Sequence, residues 1–165
     1  ILIQKKTTIS LNDTVGTLYR NQLFPDGVDA LAESVSLIRE NKAYKLTQDE
    51  SNSSYEPPCE GLLAKIEWFR PATQVFNHIR GCDPQPGAYS MIRNEVLTLH
   101  NIGFGTREVA AMYGEIIDIE DSGLKIALNG GSILVKRVRR QGQRTIDATQ
   151  FASEVNLKIG ERFVN

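Results

Sequence analysis

The sequence predicts an α+β protein: a short strand-and-helix unit, a tether, and a second unit that is mostly antiparallel sheet. Three observations carry this. Residues 72–79 place Ala72, Val75, Phe76 and Ile79 on one helical stripe. Directly after it, Asp83, Pro84, Pro86 and Gly87 make a rigid turn. From Tyr89 onward the apolar period changes from helical to strand-like, so the stripe marks a boundary.

Taken in order, residues 1–11 have strand composition: Ile1, Leu2 and Ile3 are contiguous, and Thr7, Thr8 and Ile9 are β-branched. Asn12 and Asp13 are N-cap residues for a helix over 14–24. Pro25, Asp26 and Gly27 interrupt it. Val28, Leu31, Val35 and Ile38 then form the stripe of an amphipathic helix ending near Asn41. One strand with two helices is too little to bury a core, so it reads as the end of an α/β unit. The chain opens on isoleucine inside an apolar run, which leads us to expect a piece of a longer protein.

Residues 43–61 read as a tether, wholly polar over 48–54 and stiffened by Pro57-Pro58. In the next helix Pro71 sits in the first turn, where a missing N–H costs little, and Gly81 falls where a left-handed cap belongs. Strands are expected over 88–93 and 95–104, joined near Asn94, and over 114–119 and 123–128, joined through Asp121-Ser122. Asn129-Gly130-Gly131 is a tight-turn signal before a strand over 132–139. Asp147 is placed to cap a short helix through Val155, and residues 162–164 return to the sheet edge. Such a series of short strands argues for a sheet that folds back or closes on itself.

Composition narrows the function. Of 165 residues, 41% are hydrophobic and 24% charged, enough for a packed core. A net charge of −1 argues against wholesale nucleic-acid binding but permits a local basic patch. Two cysteines, Cys59 and Cys82, lack metal-like spacing and read as free thiols of a reducing, cytoplasmic setting. No apolar run reaches membrane-spanning length, so no membrane partner is expected.

Motifs for chemistry are sparse. His78 lies outside its helix's stripe, on what reads as a solvated face, and His100 falls in a strand, packed or exposed. Gly130-Gly131 joins strands and opens no helix, which disfavours a phosphate cradle. Cys82 at a helix C-terminus reads as a small buried filler whose thiol the helix field pushes up. No metal-ligand spacing or nucleophile elbow occurs. The one electrostatic feature is Lys136, Arg137, Arg139, Arg140 and Arg144, five cations in nine residues. It reads either as a solvated strand end or as a nucleic-acid phosphate contact. Alternation puts Lys136 opposite Val135 and Arg137 on the other face.

Residues 66–89, I-E-W-F-R-P-A-T-Q-V-F-N-H-I-R-G-C-D-P-Q-P-G-A-Y, resemble the opening of the C-terminal domain of the folate-dependent formyltransferases. Ile66, Trp68, Pro71, Ala72, Ile79, Arg80, Pro84, Pro86, Gly87, Ala88 and Tyr89 match the family pattern, with Val75 and Phe76 conservative. The front, T-L-Y…L-F-P-D-G-V, resembles the 10-formyltetrahydrofolate dehydrogenase hydrolase-domain branch, and the tail resembles methionyl-tRNA formyltransferases. The resemblance implies that residues 1–42 end a Rossmann-like catalytic domain and that 62–165 form an OB-like antiparallel barrel. It implies a 10-formyltetrahydrofolate cosubstrate and a formyl acceptor that is an amine, a tRNA-linked amino acid or water. It also implies that the family's catalytic Asn–His–Asp set lies before Ile1, leaving no catalytic residue in this chain, which is then inactive alone. In the tRNA-acting branch this domain supplies basic contacts to tRNA, which is a role for residues 136–144. The remaining readings are a nucleic-acid-binding barrel module and a domain that only orients a catalytic neighbour.

Overall fold

The computed structural model describes residues 1–106 and 109–164. The chain divides into two compact units, Ile1–Pro58 and Cys59–Asn165.

In the first unit, Thr14 caps helix α1 (Val15–Leu18) with a reciprocal box, its hydroxyl accepting from Thr17 N–H while the Thr17 hydroxyl accepts from Thr14 N–H. One π-turn (Tyr19–Leu23) follows, then α2 (Phe24–Arg39). The expected break at Pro25 does not occur. Pro25 sits in the first turn of α2, and the π-turn ahead of it, closed by Phe24 N–H donating to Tyr19 C=O, shifts the hydrogen-bond register there. The expected strand over 1–11 is also absent. A strand needs a partner ladder, and Ile1 has only the reciprocal backbone bonds with Leu46 (3.0 and 2.8 Å). The stripe residues Val28, Leu31, Val35 and Ile38 are all exposed, and no residue of α1 or α2 is buried.

The second unit holds the core. Helix α3 (Ala72–Cys82) buries Ala72, Val75, Phe76, Ile79 and Cys82, the expected stripe and one residue more. Pro71 is its N-cap and has no side chain to cap with; Asn129 C=O instead accepts from Ala72 N–H at 2.8 Å. Gly81 lies inside the helix and is not a left-handed cap. The stop is Asp83, held extended (φ −92°, ψ 124°) because it precedes Pro84. The left-handed residue comes later, at Gly87 (φ +87°).

Among the described residues six strands form one antiparallel sheet: β1 (Tyr89–Ile92), β2 (Glu95–Gly105), β3 (Ile116–Glu120), β4 (Gly123–Leu128), β5 (Gly131–Arg140) and β6 (Ile146–Asp147). The order is β1-β2-β5-β4-β3, with β6 on β5. Arg93 and Asn94 make the β1–β2 turn with φ of +49° and +65°, the primed geometry a two-residue hairpin needs. Of the expected forms, a sheet that folds back or one that closes into an OB-like barrel, closure is not seen: β1 and β3, the two ends of the path, do not pair with each other among the described residues. Single bridges join the tail to Met91 of β1 (from Val164) and to Glu115, just before β3 (from Arg162), so residues 162–164 do return to the sheet edge. Helix α4 (Ala148–Glu154) buries Ala148, Phe151 and Ala152.

Trp68 anchors the tail. Its ring lies 5.7 Å from the Phe163 ring, its Nε1–H donates to Ser90 Oγ at 2.8 Å, and that hydroxyl donates to Val164 C=O at 2.9 Å. Gly114 belongs to the same corner: a Cβ there would sit 2.7 Å from Phe163 O.

One irregularity sets up the site. Leu97 and Leu99 of β2 face the core, so Thr98 and His100 face away. Asn101 takes φ +50°, and beyond it Ile102 and Phe104 pack on the core instead. On β5 the inward residues switch likewise, from Ile133 and Val135 to Val138. The pairs Thr98↔Arg139 and His100↔Arg137 therefore lie together on the outward face.

Candidate functional site

The five cations of the sequence cluster are sorted by this switch. Arg137 and Arg139 share the outward face with His100 and Thr98, so Arg137 does not take the face that simple alternation gave it. Arg140 has the parity of Val138 and turns to the core edge. Its guanidinium lies 4.7 Å from the centre of the Phe151 ring and pairs with Glu95 (2.9 Å) and Glu154 (2.8 Å). The hydrogen bonds it donates to Glu154 and then Glu95 push its pKa up, in a neutralised structural knot. Arg137 donates to Thr145 C=O at 3.0 Å and stands 3.8 Å from Asp147. Arg139 donates to Pro86 C=O at 3.3 Å. Among the described residues Lys136 and Arg144 form no ion pair, and Arg139 forms none within 4.0 Å although its charge acts on the Asp83 carboxylate. Lys136 and Arg144 are exposed. The cluster is thus two free cations, Lys136 and Arg144, two loosely engaged, Arg137 and Arg139, and one internally neutralised, a thinner patch than the sequence implies.

Beneath Arg137 and Arg139 lies a group the sequence does not reveal. His100 is only 6% exposed. Its Nδ1 stands 2.8 Å from Asp83 Oδ1, and its Nε2 2.8 Å from Thr98 Oγ1. The second oxygen of Asp83 accepts from Asn101 N–H at 2.9 Å. Burial pushes the Asp83 carboxyl up, but the His100 and Asn101 hydrogen bonds and the charges of His100 and Arg139 outweigh it, and its pKa is lowered. Asp83 therefore ties the end of α3 to the residue at which β2 switches faces. Either protonation state of His100 is satisfied. A neutral ring protonated at Nδ1 accepts the Thr98 hydroxyl proton at Nε2. A charged ring donates there while Thr98 turns to the Arg139 carbonyl 3.4 Å away. Gly87 covers the pair: a Cβ on it would lie 3.1 Å from His100 Cε1 and 3.1 Å from Thr98 Cβ. Gly87 thus packs closely on the Cε1 edge of the ring, and Asp83 and His100 together position the surface that carries Arg137 and Arg139.

Two open clefts flank Arg139. One of about 310 Å³ is lined by Asp83, His100, Asn101, Arg137, Arg139 and Thr145 among others. The other, about 460 Å³, runs past Pro86, Gly87, Thr98 and the 141–143 turn. A third cleft, about 530 Å³, lies between α3 and residues 62–70. It corrects the reading of His78 as a solvated residue: the ring is half-buried there, and its Nε2 is enclosed without a hydrogen-bond partner among the described residues. None of these clefts is an enclosed apolar slot of the kind that holds a flat bicyclic pterin. Among the described residues no group of three or more His, Cys, Asp or Glu is placed to hold a metal ion. No helix among them is long and apolar enough to cross a membrane.

The comparisons with known proteins fit this geometry. The family model described as the formyl transferase C-terminal domain matches residues 63–156. The cytosolic 10-formyltetrahydrofolate dehydrogenase of Xenopus laevis is 34% identical over 98% of this chain, which spans 19% of that relative. The methionyl-tRNA formyltransferase of Desulforamulus reducens is 28% identical over 97% of the chain, which spans 50% of it. The chain thus spans between a fifth and a half of the length of these relatives. Among solved structures, HypX from Aquifex aeolicus in complex with tetrahydrofolic acid matches with a TM-score of 0.71 at 16% identity, covering 96% of this chain and 30% of that one. The sugar 3N-formyl transferase WlaRD matches with a TM-score of 0.57 at 20% identity, covering 82% and 47%. At these identities the structural likeness speaks for the fold alone. With the helix–turn block of residues 66–89 inside the matched span and the antiparallel sheet behind it, this chain belongs to the formyl transferase C-terminal domain family.

Proposed function

We propose that the intact protein moves a formyl group from 10-formyltetrahydrofolate to an acceptor, either an amine, a tRNA-linked amino acid or water. The single observation that carries this is the match of residues 63–156 to the formyl transferase C-terminal domain. In this reading residues 1–42 end a Rossmann-like catalytic domain, 43–61 are the tether, and 62–165 are an OB-like domain framing the acceptor side. The exposed stripe of Val28, Leu31, Val35 and Ile38 supports the first assignment, because an amphipathic helix of a catalytic layer needs an apolar neighbour. That none of the three clefts is an enclosed apolar slot supports placing the main folate contacts outside these residues. The test is an assay of 10-formyltetrahydrofolate turnover by this chain and by the full-length protein. Turnover by the full-length protein alone is expected. Turnover by the chain itself, or none by either, overturns the reading.

A second reading has one observation in its favour: Lys136 and Arg144 are exposed cations without an ion-pair partner among the described residues, on and just after β5. That arrangement suits contact with the phosphate backbone of a tRNA acceptor. Filter binding of tRNA at two salt concentrations tests it. Binding that weakens steeply with salt is expected; absent or salt-independent binding removes it.

A further inference from the structure

Cys59 and Cys82 are both free thiols, and their sulfurs stand 3.3 Å apart. The residues differ in access. Cys59 is half-buried in the first stretch of the second unit, directly after Pro57-Pro58, and its thiol donates to Leu63 C=O at 3.6 Å. Cys82 is the last residue of α3 and only 1% exposed. One thiol is thus reachable from solvent and the other waits behind it in contact. That is the arrangement of an attacking cysteine with its resolving partner.

We propose that Cys59 and Cys82 are a modification site, a dithiol that a peroxide converts reversibly to an intramolecular disulfide. The Cys59 thiolate attacks one peroxide oxygen, the O–O bond breaks, and Cys59 becomes a sulfenic acid while the other oxygen leaves as water after protonation. Cys82 sulfur then attacks the Cys59 sulfur, the S–O bond breaks, and the departing hydroxide takes the Cys82 proton to form a second water. Two thiols are oxidised by two electrons and one peroxide is reduced to two waters. The roles follow from access and charge. Burial first, and then the hydrogen bond and charge of Cys59, push the Cys82 thiol up to about 12, so it stays protonated and does not meet oxidant first. Capping Cys59 as a sulfenic acid removes the part of that rise that Cys59 causes, which favours the second step. The product joins the start of the second unit to the helix end next to Asp83, the carboxylate that holds His100 and the Asn101 backbone.

The experiment treats the whole chain, as purified and reduced, with hydrogen peroxide, then denatures and alkylates it. The expected result is joint loss of both thiols, a mass lower by two hydrogens, a cross-linked peptide pair containing Cys59 and Cys82, and full reversal by dithiothreitol. Two variants separate the roles. In Cys82→Ala, Cys59 is expected to stop as a sulfenic acid that dimedone traps; in Cys59→Ser, Cys82 is expected to remain a thiol. Circular dichroism of each variant checks that it is folded. The proposal is overturned if wild-type Cys59 gains oxygen atoms while Cys82 stays alkylatable. It is equally overturned if the disulfides that form are between chains, or if neither thiol is lost at a peroxide dose that oxidises Cys59 in Cys82→Ala.

Discussion

Asp83 and His100 meet at 2.8 Å beneath the outward face of the sheet, and through Asn101 N–H the same carboxylate reaches the point where β2 turns over. One side chain therefore links the helix stop, the sheet's change of face and the placement of Arg137 and Arg139.

Asp83→Ala removes the acceptor from the buried His100 ring N–H and from the part-buried Asn101 N–H. An unsatisfied buried donor costs roughly 1–3 kcal/mol, so a loss of about 1–3 kcal/mol in urea unfolding is expected. Asp83→Asn keeps an acceptor and should cost less. Equal stability of Asp83→Ala and wild type contradicts the role given to Asp83.

The same pair fixes a pH dependence. The folded Asp83 carboxyl has a lowered pKa, so its contribution is fully present above the ordinary carboxylate value of about 4. It is lost as pH falls through the lower folded value, because the unfolded state then takes up the proton more readily. Denaturation curves between neutral pH and pH near 2 should show a steeper acid loss for wild type than for Asp83→Asn. Parallel acid limbs would count against it.

Gly87 carries two constraints at once, φ +87° and a Cβ site 3.1 Å from both His100 and Thr98. Gly87→Ala is expected to cost about 1–3 kcal/mol, with a fall in Tm measured by calorimetry. An unchanged Tm would show that the cover over His100 is looser than drawn.

The basic residues separate into opposite phenotypes. Arg140→Ala loses the stack on Phe151 and two carboxylate partners, for about 1–2 kcal/mol of stability. Lys136→Ala and Arg144→Ala touch no such partner and should leave the unfolding midpoint unchanged. If the tRNA reading holds, each of these two lowers affinity at low salt and reduces the salt slope by about 1. The same stability loss for Lys136→Ala as for Arg140→Ala would refute the sorting of the cluster by the face switch.

Much of the second unit is local and so was written in the chain order. The stripe of α3 depends only on spacing, and the hairpins at Arg93-Asn94, Asp121-Ser122 and Asn129-Gly130 depend only on residues that tolerate their turns. The helix–turn block of residues 66–89 likewise carried the family, since the match covers it. Misreadings arose where a local preference met a neighbour. Residues 1–11 have strand composition but no ladder to join, Pro25 is absorbed by a π-turn, and α3 runs through Gly81 because the Asp83–Pro84 step stops it.

What only the tertiary structure decided is which side chains meet across sequence distance. Asp83 and His100 are 17 positions apart, and Cys59 and Cys82 are 23 apart. No period or spacing rule links such pairs; the packing of α3 against β2 and of residue 59 against the helix end does. The division of the five cations has the same origin. Alternation along β5 alone puts Arg137 on the wrong face, because the switch at Asn101 depends on a positive φ that Asp83 stabilises from another element. Sequence determined the elements and the family; the carboxylate that turns a strand over determined which charges face solvent together.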